Sequence, residues 1–323
     1  MAERILVLGA TGAFGRAVVR ELARRKLPVR AQGRTAARLE QALAGIEGVE
    51  QVAGDALQDA PVMSAAEGCG VIVHAVNLPY ARWMPDMQTI TANVVRAARS
   101  HRATILFPGN VYGFGRQTGR PLDERTKMRP ETRKGSFRIQ LEELLKSATS
   151  EGEARVIVVR AGDFFGPTVR NGLVDRIFGH AAAGKPIQAI GRLDVPHEWA
   201  YVPDLARLGA ELLAIRERLA PFEVVHLVGH VARAQREFFR RVARAAGRPD
   251  LPVRTLPWWL LRVLGVADAQ LRELMELRYL FDDAVLLDDA RRRELLPDFE
   301  PTPIETAIQE TLASYAAHGT PPR

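Results

Sequence analysis

An α/β fold built on a doubly wound parallel sheet is what this sequence predicts, and three observations predict it. Short β-branched strands that read as unbroken apolar runs alternate with helical stripes through the first half, as strands buried on both faces must. A glycine-rich turn joins the first strand directly to the first helix. Beyond Gly162 the alternation loosens into longer loops and a mostly helical C-terminal third, the pattern of a smaller lobe set over the sheet's carboxyl edge.

Taken in order, Arg4–Leu8 is a strand stopped by Gly9, and Val18, Val19, Leu22 and Ala23 recur at helical spacing between about Gly15 and Arg25. Pro28–Ala31 opens the second strand, Arg34–Ala44 is a helix and Val49–Ala53 the third strand. Val71–Ala75 is the fourth strand, Gln88–Ser100 a helix, and Thr104–Phe107 and Val156–Arg160 the next two strands. Val224–Val228 is a further strand inside the second half, so residues 1–165 form one domain completed by parts of 195–230, and 166–323 form mainly the lobe.

Among 323 residues, 47% are hydrophobic and 26% charged, which excludes a disordered chain. The net charge of +7 is scattered. Its one tight run, Arg291-Arg292-Arg293, is flanked by Asp288, Asp289 and Glu294 and reads as a solvated helix face, so no nucleic-acid partner is expected. A single cysteine, Cys69, excludes a disulfide framework and reads as a small buried filler. The most apolar later stretch, Leu256–Val266, is broken by Pro257 and Arg262 and is too short to span a bilayer. With no leader pattern at Met1-Ala2-Glu3-Arg4, a cytoplasmic setting is expected. The histidines show no metal-ligand spacing, and no G-x-S-x-G elbow supports hydrolysis. Trp258 and Trp259 floor a substrate pocket or, more commonly for such a pair, pack in the lobe's core.

The turn Gly9-Ala10-Thr11-Gly12-Ala13-Phe14-Gly15 has the form G-x-x-G-x-x-G at a strand–helix junction. There the first glycine permits the sharp turn, the second lets the backbone approach a pyrophosphate, and the third lets helix pack on strand. The following helix start offers free N–H groups to phosphates. The second strand ends Gln32-Gly33-Arg34, and no acid lies between Lys26 and Leu39. An acid there holds a ribose 2′-hydroxyl, whereas Arg34, assisted by Arg38 or Arg30, suits a 2′-phosphate, so NADP is expected in preference to NAD. Otherwise Arg34 merely starts a helix and faces water. Asp55, in Gly54-Asp55-Ala56, accepts from an adenine amino group, caps a turn, or does both.

These residues resemble the extended short-chain dehydrogenase/reductase family, of the NAD-dependent epimerase/dehydratase type. The resemblance also rests on Val73-His74-Ala75-Val76, Asn93, Val111-Tyr112-Gly113, Arg160-Ala161-Gly162-Asp163-Phe164-Phe165-Gly166-Pro167, His197–Ala206 and Pro301–Thr311. It implies a Rossmann-type fold and a dinucleotide held by Gly9, Thr11, Gly12, Ala13, Phe14, Gly15, Arg34, Asp55, Ala56, Ala75, Val76, Lys134, Ala161 and Asp163. It also implies a Tyr-x-x-x-Lys pair and a Ser or Thr for proton transfer. This chain departs from all three: the pair falls on Lys134 and Arg138, and the hydroxyl position on Pro108 with Asn110 close by. Such departures resemble those of the family's atypical members.

Leu141, Leu145 and Ala148 form a helical stripe that, extended backward, meets Arg138 and Lys134. Two cations then point inward, and a bound ribose–pyrophosphate or an anionic substrate would compensate them. Alternatively the helix begins after Gly135 and leaves Lys134 in a loop; both readings stay open. On the first, burial and like charge lower the lysine's pKa and fit it to donate a proton. The expected function is an NADP(H)-dependent oxidoreductase moving hydride to or from a small carbonyl-type substrate near Tyr112, Asn110 and Lys134. The alternative is a catalytically silent NADP(H)-binding sensor or regulator. A homodimer is compatible with either.

Overall fold

The computed structural model describes residues 3–117, 119–266 and 268–318. The first six strands are β1 (Arg4–Leu8), β2 (Val29–Gly33), β3 (Val49–Ala53), β4 (Cys69–His74), β5 (Thr104–Gly109) and β6 (Arg155–Arg160). The later six are β7 (Asp163–Phe165), β8 (Ile187–Ile190), β9 (His197–Tyr201), β10 (Phe222–His226), β11 (His230–Ala232) and β12 (Val253–Leu256). Seven of them form one parallel sheet in the order β3-β2-β1-β4-β5-β6-β10, with Val7 opposite Ala31 on one side and Val73 on the other.

Why the strands read as unbroken apolar runs is visible in β1. Ile5 and Val7 enter one core, with Val18 and Leu22 of helix α1 (Ala13–Arg24) and Leu205 and Leu212 of helix Val202–Ala214. Leu6 and Leu8 enter the core on the opposite face, with Val62 of α3 (Asp59–Ala66), Val94 of α4 (Gln88–His101) and Leu145 of α5 (Arg133–Ser147). Side chains alternate between faces, so a sheet covered on both sides needs apolar residues at every position. Helix α2 (Ala36–Ala42) is shorter than its predicted span, and α3 was not predicted at all.

The strand order reverses between β1 and β4, which leaves a crevice at the carboxyl ends of those strands. Over it sits the lobe, which carries more sheet than its sequence suggests: β11-β9-β7 and the parallel pair β12-β8. Between them run the helices Trp258–Leu264 and Ala269–Leu274, the turn Met275–Leu277 and helix Tyr279–Asp282. No described helix is long and apolar enough to cross a membrane.

Two sequence expectations need correction. The arginine run is not a solvated face throughout: Arg292 is buried against Asp289 and the Phe299 carbonyl, while Arg291 pairs with Glu223 and Glu294. The tryptophan pair does not stay together in a core or a pocket floor. Trp258 donates its indole N–H to Asp282, and Trp259 is 68% exposed. Cys69 is buried, donates to the Ala65 carbonyl, and has its thiol pKa raised by desolvation, as suits a filler.

Candidate active site

The turn after β1 is folded around its glycines. Gly9 has φ +77°, and a Cβ there would lie 2.7 Å from the Val76 nitrogen, so the turn is pressed against the backbone leaving β4. A Cβ at Gly15 would meet the Gly9 carbonyl oxygen at 2.2 Å, which makes Gly15 the point where α1 packs on β1. Gly12 differs: its nearest atoms are the Gly9 and Ala75 oxygens at 3.3 and 3.8 Å, and it faces an open cleft. No side chain caps α1, so its first amides are left for a ligand.

That cleft, about 810 Å³, is lined by Gly9, Thr11, Gly12, Ala13, Phe14, Arg34, Asp55, Ala56, Ala75, Val76 and Asp163 among the predicted dinucleotide residues. Tyr112 and Asn110 line it as well. Gly15, Ala161 and Lys134 do not: Gly15 and Ala161 are packing residues beneath the floor. The glycine cradle, the uncapped helix start and the length of the groove fit a dinucleotide.

At the end of the cleft beside β2 and β3, Asp55 Oδ1 accepts from the Leu57 N–H at 3.0 Å, which is the turn-capping reading. The Asn93 side chain is buried and structural here. Its amide donates to the Ala56 carbonyl at 2.8 Å and its oxygen accepts from Arg96. Arg34 is exposed on the cleft wall beside Gly33. Arg30 cannot assist it, because its guanidinium is bonded to the Ala65 and Glu67 carbonyls and paired with Glu50.

At the other end, Thr132 caps α5 by accepting from the Gly135 N–H at 3.0 Å, so the helix begins before Gly135 and Lys134 lies within it. Lys134 is 2% exposed, as the inward stripe requires. Its charge is met from the lobe, where Glu273 pairs with Nζ and Glu276 lies 3.4 Å away. The compensating anions are therefore glutamates of this chain. Its ammonium also lies 5.2 Å from the centre of the Tyr80 ring.

Arg138, one turn on, does line the cleft. It is 7% exposed, donates to the Pro108 carbonyl at 2.7 Å, and lies over the faces of Phe107 and Trp83. Its Nε is buried and has no hydrogen-bond partner among the described residues. Burial pushes the guanidinium pKa down, with Glu142 opposing. His74 beneath it donates Nε2–H to the Thr91 hydroxyl, which itself donates to the Met87 carbonyl. Burial, with Arg138 adding to it, lowers the His74 pKa to about 3.

Between these ends the Tyr112 and Tyr80 hydroxyls are 2.9 Å apart on the cleft wall. Asn110 accepts from the Tyr112 backbone N–H at 3.1 Å and so sets the turn that presents the ring. Burial first, then the Tyr80 phenol and the Asp163 carboxylate, push the Tyr112 hydroxyl well above the ordinary tyrosine range. Burial raises Tyr80 too, with the bond from Tyr112 opposing. Asp163 is paired with His197 at 2.9 Å. Tyr80 escaped the sequence reading, because the segment after β4 has no periodicity; its only signal is its place at the sheet's carboxyl edge.

The chain is 28% identical over 276 residues to the 2'-dehydrokanamycin reductase of Streptomyces kanamyceticus, a match spanning 82% of this chain and 73% of that one. Its fold is similar to that of the Bordetella bronchiseptica enzyme WbmH in complex with NAD+ (TM-score 0.75, 18% identity, 98% of this chain and 99% of the other). It is equally similar to UDP-N-acetylglucosamine 4-epimerase from Bacillus cereus (TM-score 0.77, 15% identity, 99% of both chains). The family model described as NAD dependent epimerase/dehydratase matches residues 5–235. With that match over most of its length, and the glycine turn at the switch point of the sheet, the chain belongs to the NAD-dependent epimerase/dehydratase family.

Proposed function

We propose that this protein is an NADP(H)-dependent reductase of a carbonyl-type substrate, with Tyr112 as its proton donor. One observation carries the reading: the cleft brings a hydroxyl pair, Tyr112 and Tyr80, to the junction between the dinucleotide groove and the space under the lobe. The reductase name of the 28% identical relative supports the same class.

The residues present suit the cofactor. Gly12 and the first amides of α1 would take the pyrophosphate, and Arg34 the 2′-phosphate, with no acid at Gly33 to repel it. Arg138 has a buried Nε free beside the groove and would hold the nicotinamide ribose. When bound, the reduced nicotinamide supplies hydride to the carbonyl carbon. Tyr112 gives its hydroxyl proton to the carbonyl oxygen as hydride adds to the carbon, and solvent restores the proton to the phenolate. Burial makes this phenol a weaker acid than a free tyrosine, so its proton moves only to the strongly basic alkoxide that hydride addition creates. Asn110 orients Tyr112.

The test is NADPH consumption by purified protein across a panel of aldehydes and ketones. Turnover that falls about 10²–10³-fold in Tyr112→Phe, with NADPH affinity kept, supports the reading. Tight NADPH binding with no turnover on any carbonyl would instead make the protein a silent dinucleotide binder.

A further inference from the structure

We infer that the substrate half of the cleft takes an uncharged, apolar carbonyl compound and not a nucleoside-diphosphate sugar; this rests on the reading that the other half holds the dinucleotide. From Ile190 onward, every described lining residue except Asp268 is apolar. Leu256, Leu261, Leu271, Leu274 and Leu277 come from one stretch of the lobe and face the groove together with Phe281. Leu271 and Leu274 are only half-buried without a ligand, so an apolar guest would cover them. Asp268 is turned to its own helix, where its carboxylate accepts from the Leu271 N–H at 3.3 Å.

A nucleoside diphosphate brings two negative charges, which need cations or clustered N–H donors where they are buried. The cations bordering this half are turned to protein partners. Arg82 pairs with Asp86, Arg176 donates to Gln188, and Arg170 donates to the Pro167, Val169 and Ser314 carbonyls while stacking on Tyr315. What remains is a leucine wall opposite two tyrosine hydroxyls, with Asn77 and Asn171, whose amide oxygens are taken by the Trp83 indole N–H and by the Leu173 and Val174 N–H groups. An apolar body seats against that wall and its carbonyl oxygen accepts from Tyr112.

The experiment measures binding and turnover separately. Protein saturated with NADP+, which cannot reduce a ketone, is titrated calorimetrically with a series of straight-chain methyl ketones of increasing length, with UDP-glucose as competitor, and NADPH consumption is followed in a separate assay. Each added methylene should tighten binding about fourfold until the pocket is filled, and millimolar UDP-glucose should not displace the longest ketone. In Leu271→Gln and Leu274→Gln the dependence on chain length should flatten, with NADPH affinity unchanged as the sign of an intact fold. Binding that does not change with ketone length, or UDP-glucose displacing the ketone, overturns the inference. Length-dependent binding without NADPH consumption upholds the apolar pocket and defeats the reductase reading alone.

Discussion

Lys134→Met removes the cation that the lobe's glutamates are folded around, and the structure sets the size of the effect. Losing one partner of a fully buried ion pair costs about 3–5 kcal/mol, because a charge is left without compensation. Here the lysine side chain is 3% exposed, but Glu273 and Glu276 are 21% and 25% exposed. They sit on a short helix and the turn after it, so both can swing toward water, and the expected loss is about 1–3 kcal/mol. For a chain of this length that lowers the melting temperature by about 1.5–4.5 °C. Scanning calorimetry on Lys134→Met, Glu273→Gln/Glu276→Gln and the combined triple variant forms a thermodynamic cycle. The triple variant should be no less stable than Lys134→Met, since the stranded carboxylates are gone. NADPH affinity should stay unchanged, because Lys134 does not line the cleft. Additive losses in the cycle, or a loss of NADPH affinity in Lys134→Met, would refute the assignment of this lysine to the lobe.

Arg34→Ala should weaken NADPH about tenfold and leave NADH unchanged in a fluorescence titration, as expected for one charge-assisted pair at an exposed position; equal losses for both would remove Arg34 from the 2′-phosphate. Gly15→Ala should cost about 1–3 kcal/mol in urea unfolding, because its Cβ falls 2.2 Å from a backbone oxygen. Gly12→Val should fold at wild-type stability and lose dinucleotide binding, since its side chain enters the cleft. Glu198 is buried, accepts the Leu287 N–H at 3.1 Å, and burial pushes its pKa up to about 7. A raised acid favours its protonated form in the fold. Its contribution is therefore full below the ordinary value near 4.5 and is lost as pH rises through about 7. Stability of wild type minus that of Glu198→Gln should fall across that window, and a flat difference would show that the carboxyl is not desolvated.

The central strands β1, β4 and β6 were legible because they are apolar on both faces, whereas the edge strand β3, with Glu50 and Gln51 exposed, is marked only by its β-branched Val49 and Val52. The glycine turn was legible because three backbone needs fix three glycines at set intervals. The start of α5 was not decided by pattern: Pro130 and Gly135 argued for a later start, and Thr132 as a cap argues for the observed one. The partners of Lys134 lie about 140 residues away in sequence, and no local periodicity announces a pairing at that distance. The strands β7, β8 and β11 are three or four residues long, too short for alternation to stand out from loop. Trp259 was misread for a different reason: an aromatic pair beside leucines has the composition of a core, yet only Leu261 turns inward on that helix while Trp259 faces water.

The two halves of the cleft are built from different lengths of chain. The dinucleotide groove is assembled from loops at the ends of strands locked into the sheet, where a change of shape propagates into the core. The leucine wall belongs to residues 256–281, where Leu256 pairs with Ile190 of β8, Glu273 and Glu276 meet Lys134, the Tyr279 hydroxyl donates to the Tyr112 carbonyl, and the Phe281 carbonyl accepts from the Arg192 N–H and the Gln235 amide. Its cleft-facing leucines can change while those ties are kept. Exchanging those side chains alone, with the ties retained, is expected to change which molecule the cleft accepts while the loops at the strand ends keep their shape.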